Sequence, residues 1–169
     1  MQTETILDEI ERTEQLDDAA DYLLDKVGKS LAAGSSGDLL QGKWLGHPLH
    51  PMLTDIPIGF WTAGVTLDLL KPRSGQKAAQ LLIGLGTLSA IPTALAGLTD
   101  GSAIEDPAER RVAAAHAIGN LTATCMFAMS WRARRKDHHA RGVLWSLLAT
   151  GVATGAGLLG GNLTFGRSK

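Results

Sequence analysis

The sequence predicts an all-α membrane protein, a four-helix transmembrane bundle preceded by an N-terminal amphipathic helix. Three observations predict it. Four apolar runs, Met52–Leu70, Ala78–Leu98, Val112–Trp131 and Gly142–Leu163, follow one another with only Asp55 and Asp68 as charges inside them. Each is about 20 residues, the helical length that crosses a hydrocarbon core of ~30 Å. The first 45 residues are instead polar and acidic, with apolar residues at helical spacing. A mean hydropathy near zero averages over two unlike parts. A soluble bundle with Ala- and Gly-rich core helices accounts for one such run. Four in succession, joined by short charged loops, favour the bilayer.

The first element is residues 1–37, an acidic amphipathic helix and its linker. Ile6, Ile10, Leu16, Ala20, Leu24, Val27 and Leu31 recur at steps of three and four, with one step of six across Thr13. The opposite face carries Asp8, Glu9, Glu11, Glu14, Asp17, Asp18, Asp21 and Asp25. Helices that lie on anionic lipid are usually basic on that face. The stripe can lie on the bilayer surface, pack on the bundle or pair with another chain, and a homo-oligomer or another partner chain is the leading expectation. "AAGSSG", 32–37, reads as a flexible joint.

Residues 38–169 form the second unit, with spans at about 51–70, 78–98, 112–131 and 142–163. Pro51 suits the first turn of a helix. Pro57 and Pro92 lie inside helices, which membrane bundles tolerate when neighbours satisfy the freed carbonyls. Gly151 and Gly155 form a G-x-x-x-G on the fourth span, and tight packing within the bundle is the expectation for that face. Lys71, Arg73 and Lys77 follow the first span; Arg132, Arg134, Arg135, Lys136 and Arg141 follow the third. The positive-inside rule places those loops in the cytoplasm and both termini outside, in a multi-pass cell-membrane protein. Residues 1–30 lack the apolar core of a signal peptide, so the first span is expected to act as its own insertion signal.

Composition narrows the function. A net charge of −1 gives no general attraction to nucleic acid. A single cysteine, Cys125, excludes an internal disulfide, a cysteine-ligated iron–sulfur cluster and the C-x-x-C-H attachment of c-type haem. No Ser or Cys nucleophile has a base nearby, and no glycine loop suits phosphate, so independent catalysis is not expected. A polar pocket at one end does not make a transport path.

The polar residues of the spans gather at one end. His47, His50, Thr54 and Asp55 open the first span; Thr93 and Asp100 close the second; His116 and Asn120 are near the start of the third; Asn162 and Thr164 close the fourth. In an antiparallel bundle this is the outer end, and ionisable groups at membrane depth usually line a cavity or bind something. Three readings follow. His50 and His116 can ligate a b-type haem between the first and third helices, with Asp55 or Asn120 orienting an imidazole. His47, His50 and His116, with Asp55, can hold a divalent metal such as zinc. Or no cofactor binds, His47 and His50 cap a helix, and His116 bonds between helices. His138 and His139, in "RRKDHHARG", read as solvated loop residues.

The stretch "WLGHPLHPMLTDIPIGFWTAGVTLDLL", with "GLTDG" (97–101), "HAIGNL" (116–121), "SWRARR" (130–135) and "LLGGNLTFG" (158–166), resembles the DUF2231 group of four-span bacterial membrane proteins over about residues 38–166. Members often occur fused to or beside Rieske-type iron–sulfur domains. The resemblance therefore implies a redox setting and a Rieske-type redox partner. The Rieske ligand pattern itself is absent here. Relatives tend to carry a histidine where this chain has Asn162. The leading expectation is an electron-transfer subunit; the alternative is a cofactor-free scaffold or assembly protein in contact with lipid.

Overall fold

The computed structural model describes residues 2–71 and 73–165, and all regular structure among them is helical. Helix α1 spans Gln2–Arg12. After a 3-10 turn at Glu14–Leu16, α2 (Asp17–Ala20) continues without a break through a π-helical stretch, Asp21–Gly28, into α3 (Lys29–Ala32). A short α4 (Gly34–Leu40) and a 3-10 turn lead to the bundle. Its four long helices are α5 (Leu49–Leu70), α6 (Gln76–Gly101), α7 (Pro107–Arg134) and α8 (His139–Phe165). α5 packs along α6 and α7 along α8, and the two hairpins meet mainly through α6 and α7.

The helices outrun the apolar runs because their caps lie in the polar loops. The Asp106 carboxylate accepts the backbone N–H of Ala108 and Glu109 at 2.9 and 3.0 Å, with Pro107 in the first turn. That cap starts α7 five residues before Val112 and draws Arg110 and Arg111 into the helix.

α6, α7 and α8 are each long and apolar enough to cross a membrane. α5 is 22 residues long but is not one of these; His50, Asp55, Asp68 and two prolines dilute it. By length and composition the expected four spans are three. The packing is also that of a bundle bathed in apolar solvent. Leu81, Leu88, Leu121, Leu144 and Leu158 point outward, while alanine, glycine, threonine and serine fill much of the interior.

The two hairpins behave as copies of one unit. On α5, Pro57, Trp61, Gly64 and Asp68 are buried; on α7, Ala123, Phe127, Ser130 and Arg134 are buried, each 66 positions later. On α6 and α8 the buried sets Ala79, Ile83, Gly86, Thr93 and Gly142, Ser146, Ala149, Ala156 match at an offset of 63. Equivalent positions meet across the bundle axis. Trp61 stacks on Phe127 with ring centroids 4.1 Å apart. Arg134 bonds Asp68 through both guanidinium ends, at 2.9 and 2.6 Å, with both side chains 1% exposed.

Two expectations are corrected and one is refined. Part of the acidic arm's apolar stripe packs on its own bundle, while Ile6 stays exposed. Leu7, Ala20 and Leu24 are buried, and Ala20 and Leu24 pack with Ala113, Ala114 and Leu163 of the same chain's bundle. Arg110 and Arg111 make this possible by meeting the acidic face. Arg111 bonds Asp17 at 2.6 and 2.9 Å, and Arg110 reaches Asp25 at 2.7 Å and Asp21 at 3.0 Å. The Arg111 hydrogen bond holds the Asp17 carboxyl below the usual range. Next, "AAGSSG" is not a loose linker: the break is confined to Ala33 and Gly34 (φ +71°), and Gly37 is buried in α4 against the backbone of Ala32. Last, the G-x-x-x-G face of α8 does not pack inside. A Cβ at Gly151, Gly155, Gly157 or Gly161 would meet nothing within 4 Å.

The Asp68–Arg134 pair yields a direct test. Asp68→Ala strands a buried guanidinium and is expected to destabilise the detergent-solubilised bundle by about 3–5 kcal/mol, whereas Asp68→Leu with Arg134→Leu costs far less. Denaturant unfolding of the three proteins checks this; equal losses would mean the charges are not paired.

Candidate functional site

The histidine end of the bundle is built from one local device used twice. On α5, His50 Nδ1 lies 2.9 Å from the carbonyl oxygen of Thr93 on α6. On α7, His116 Nδ1 lies 2.7 Å from the carbonyl oxygen of Ala156 on α8. A carbonyl only accepts, so Nδ1 carries the proton in both rings and Nε2 keeps its lone pair. Four residues beyond each carbonyl stands a glycine. A Cβ on Gly97 would sit 2.8 Å from His50 Nδ1, and one on Gly160 would sit 2.5 Å from His116 Cε1. Each imidazole thus occupies room that only glycine leaves.

The two rings face each other across the axis. Their centroids are 6.2 Å apart and their planes cross at 87°. Asn120, one turn along α7, donates from Nδ2 to the His116 carbonyl at 3.0 Å. The same nitrogen is 3.3 Å from Nδ1 and 3.2 Å from Nε2 of that ring. Near-equal distances to both nitrogens place it over the ring face, since an in-plane position would collide with a ring carbon. The in-plane lone pair of Nε2 is therefore not taken by the amide. Asp100, at the end of α6, adds a carboxylate beside the His50 backbone. Pro48, at the cap position of α5, offers no side-chain bond.

The structure thus brings together His50, His116 and Asn120 and adds Asp100, Gly97 and Gly160. It does not bring in the rest. His47 is exposed in the turn before α5, and Asp55 is exposed on the outer face of α5 with no bond or ion pair among the described residues. The helical turn between His50 and Asp55 points them to different sides. No group of three His, Cys, Asp or Glu suited to a metal ion occurs among the described residues, so the His47–His50–His116 set is not assembled. Asn162 is half-buried near the end of α8.

A second polar cluster occupies the opposite end. Besides Asp68, Arg134 donates to Ser130 Oγ and Ser146 Oγ, both at 3.1 Å. His139 is not a solvated loop residue: its Nε2 is buried, 3.3 Å from Asp68 Oδ1, without hydrogen-bond geometry. His138 is exposed as expected. The signal for this cluster was Asp68 alone in an apolar run, which demands a cation.

A family model described as "Predicted membrane protein (DUF2231)" matches residues 46–167, from the turn before α5 to beyond α8. The chain belongs to the DUF2231 family. The match spans both hairpins and so both histidine cradles, and makes this a predicted membrane protein with membrane-spanning helices. No curated protein and no solved structure matches the chain.

The glycine cradles are testable in the purified protein. Gly97→Ala and Gly160→Ala should each cost roughly 1–3 kcal/mol by forcing an imidazole off its carbonyl. Gly161→Ala, whose Cβ meets nothing, should be neutral. Thermal unfolding in detergent separates the outcomes, and equal behaviour of Gly160→Ala and Gly161→Ala would refute the cradle.

Proposed function

We propose that this DUF2231 protein is a four-span electron-transfer subunit that binds one b-type haem between α5 and α7, with His50 and His116 as axial ligands. One observation carries the reading. Two imidazoles oppose each other, each with Nδ1 tied to a backbone carbonyl and Nε2 left over. That is the tautomer of a metal-bound histidine. Two imidazoles sharing one metal at roughly 2 Å bond lengths hold their centroids roughly 6 Å apart, and these stand at 6.2 Å.

The residues around the two rings are small. α6 and α8 present Thr93, Ala96, Gly97, Ala156 and Gly160 at this depth. When bound, the iron would supply one-electron exchange. The chain's own part is to hold both rings in one tautomer, to keep them from rotating, and to surround them with apolar helix. α5 as the fourth span is supported by two of its polar residues turning inward, His50 to Thr93 and Asp68 to Arg134; Asp55 stays on its outer face. The basic loops after α5 and α7 support a cytoplasmic position for the Asp68 end. The histidines then lie near the outer face, where a Rieske-type partner is the proposed redox neighbour.

Purified from haem-replete cells, the protein should show a Soret band that shifts on dithionite reduction. His50→Ala and His116→Ala should abolish the native band, and His138→Ala should keep it. A colourless wild-type protein would overturn the haem reading and leave the scaffold role.

A further inference from the structure

We propose that residues 2–32 form a latched lid over the histidine end of the bundle and control access to the His50–His116 site. The haem reading supplies what passes the lid; the lid itself stands on the packing. The arm crosses the ends of α6, α7 and α8 immediately above the site. Leu24 lies against Gly101, and Gly28 is so close to the Leu98 carbonyl that a Cβ there would be 2.4 Å from it. Ala20 and Leu24 pack on Ala113, Ala114 and Leu163. These contacts adjoin the site in sequence: Leu98 and Gly101 follow Gly97 and Asp100, Ala113 is three residues before His116, and Leu163 three after Gly160.

The seal is polar more than apolar. The arm buries one small and two large apolar side chains: Ala20, Leu7 and Leu24. Against that, two adjacent guanidiniums on α7 hold both of its segments. Arg111 reaches the Glu11 carbonyl at 2.8 Å as well as Asp17, and Arg110 takes Asp21 and Asp25. Ion pairs at a surface exchange with water and weaken in salt. The hinge is equally plain. Ala33 is extended, and Gly34 has φ +71° with open space around it. The π-helical stretch Asp21–Gly28 over the site has i→i+5 bonding, which is rare outside functional positions. A permanent cap would need neither a hinge nor a latch.

The test uses the full chain in detergent. Ala113→Cys, in a Cys125→Ser background, places a thiol under the seated arm, since Ala113 is 6% exposed. Its labelling by a polar maleimide should be slow, and roughly tenfold faster when Arg110→Ala and Arg111→Ala break the latch or when 1 M salt screens it. A thiol at exposed Ser36 should label at one rate throughout. In haem-loaded protein, transfer of haem to excess apomyoglobin should accelerate in parallel. Unchanged labelling of position 113 on both latch loss and high salt would overturn the lid. Faster labelling with no haem to transfer would keep the lid and refute only the haem reading.

Discussion

A polar group inside hydrocarbon has to be answered by another part of the same protein, and in this bundle the answer comes from the equivalent position in the other hairpin. Asp68 and Arg134 show the constraint most plainly. They are 66 residues apart, both buried, and joined by two short bonds. Removing either leaves a charge that nothing else on the axis neutralises. The same relation sets the next layer, where Trp61 stacks on Phe127. The fold is thus two helical hairpins, running in the same direction, whose axis-facing side chains complete each other.

The histidine layer obeys the relation but not its usual outcome. Ion pair and aromatic pair are in contact; His50 and His116 stand 6.2 Å apart, edge to face. Each ring satisfies itself on one side only, through Nδ1 and a carbonyl of its own hairpin. Glycine at 97 and at 160 fixes where each ring lies. A layer held this firmly, with Nε2 of each ring not taken by a carbonyl, supports the proposed binding of a third party between the hairpins. The acidic arm belongs to the same end and closes it.

Much of this was legible in the residues. Apolar runs, loops of basic residues and the clustering of His50, His116 and Asn120 at one end all follow from length, charge and depth. The repeat was not legible, because its pairs are complementary rather than identical: Trp with Phe, Asp with Arg, Gly with Ser. Of the site residues, only the histidines and the cradle glycines, Gly97 and Gly160, match. An acidic face disfavours anionic lipid without saying what covers it, so the docking of Ala20 and Leu24 on the same chain's bundle was not legible, and neither was the part that Arg110 and Arg111 play in it. The Asp106–Pro107 start signal places them inside α7, facing the arm. Asp55 was misplaced for a helical reason: its depth was right, but its angle around α5 points outward.

The central claim is that His50 and His116 share one iron across the axis with their planes crossed. Electron paramagnetic resonance of the oxidised protein tests it most directly, because crossed imidazole planes give a highly anisotropic low-spin ferric signal. The account predicts that signal in the wild type and its conversion to a high-spin signal, or its loss, in both His50→Ala and His116→Ala. A high-spin wild-type signal, or a low-spin signal indifferent to either substitution, would contradict it.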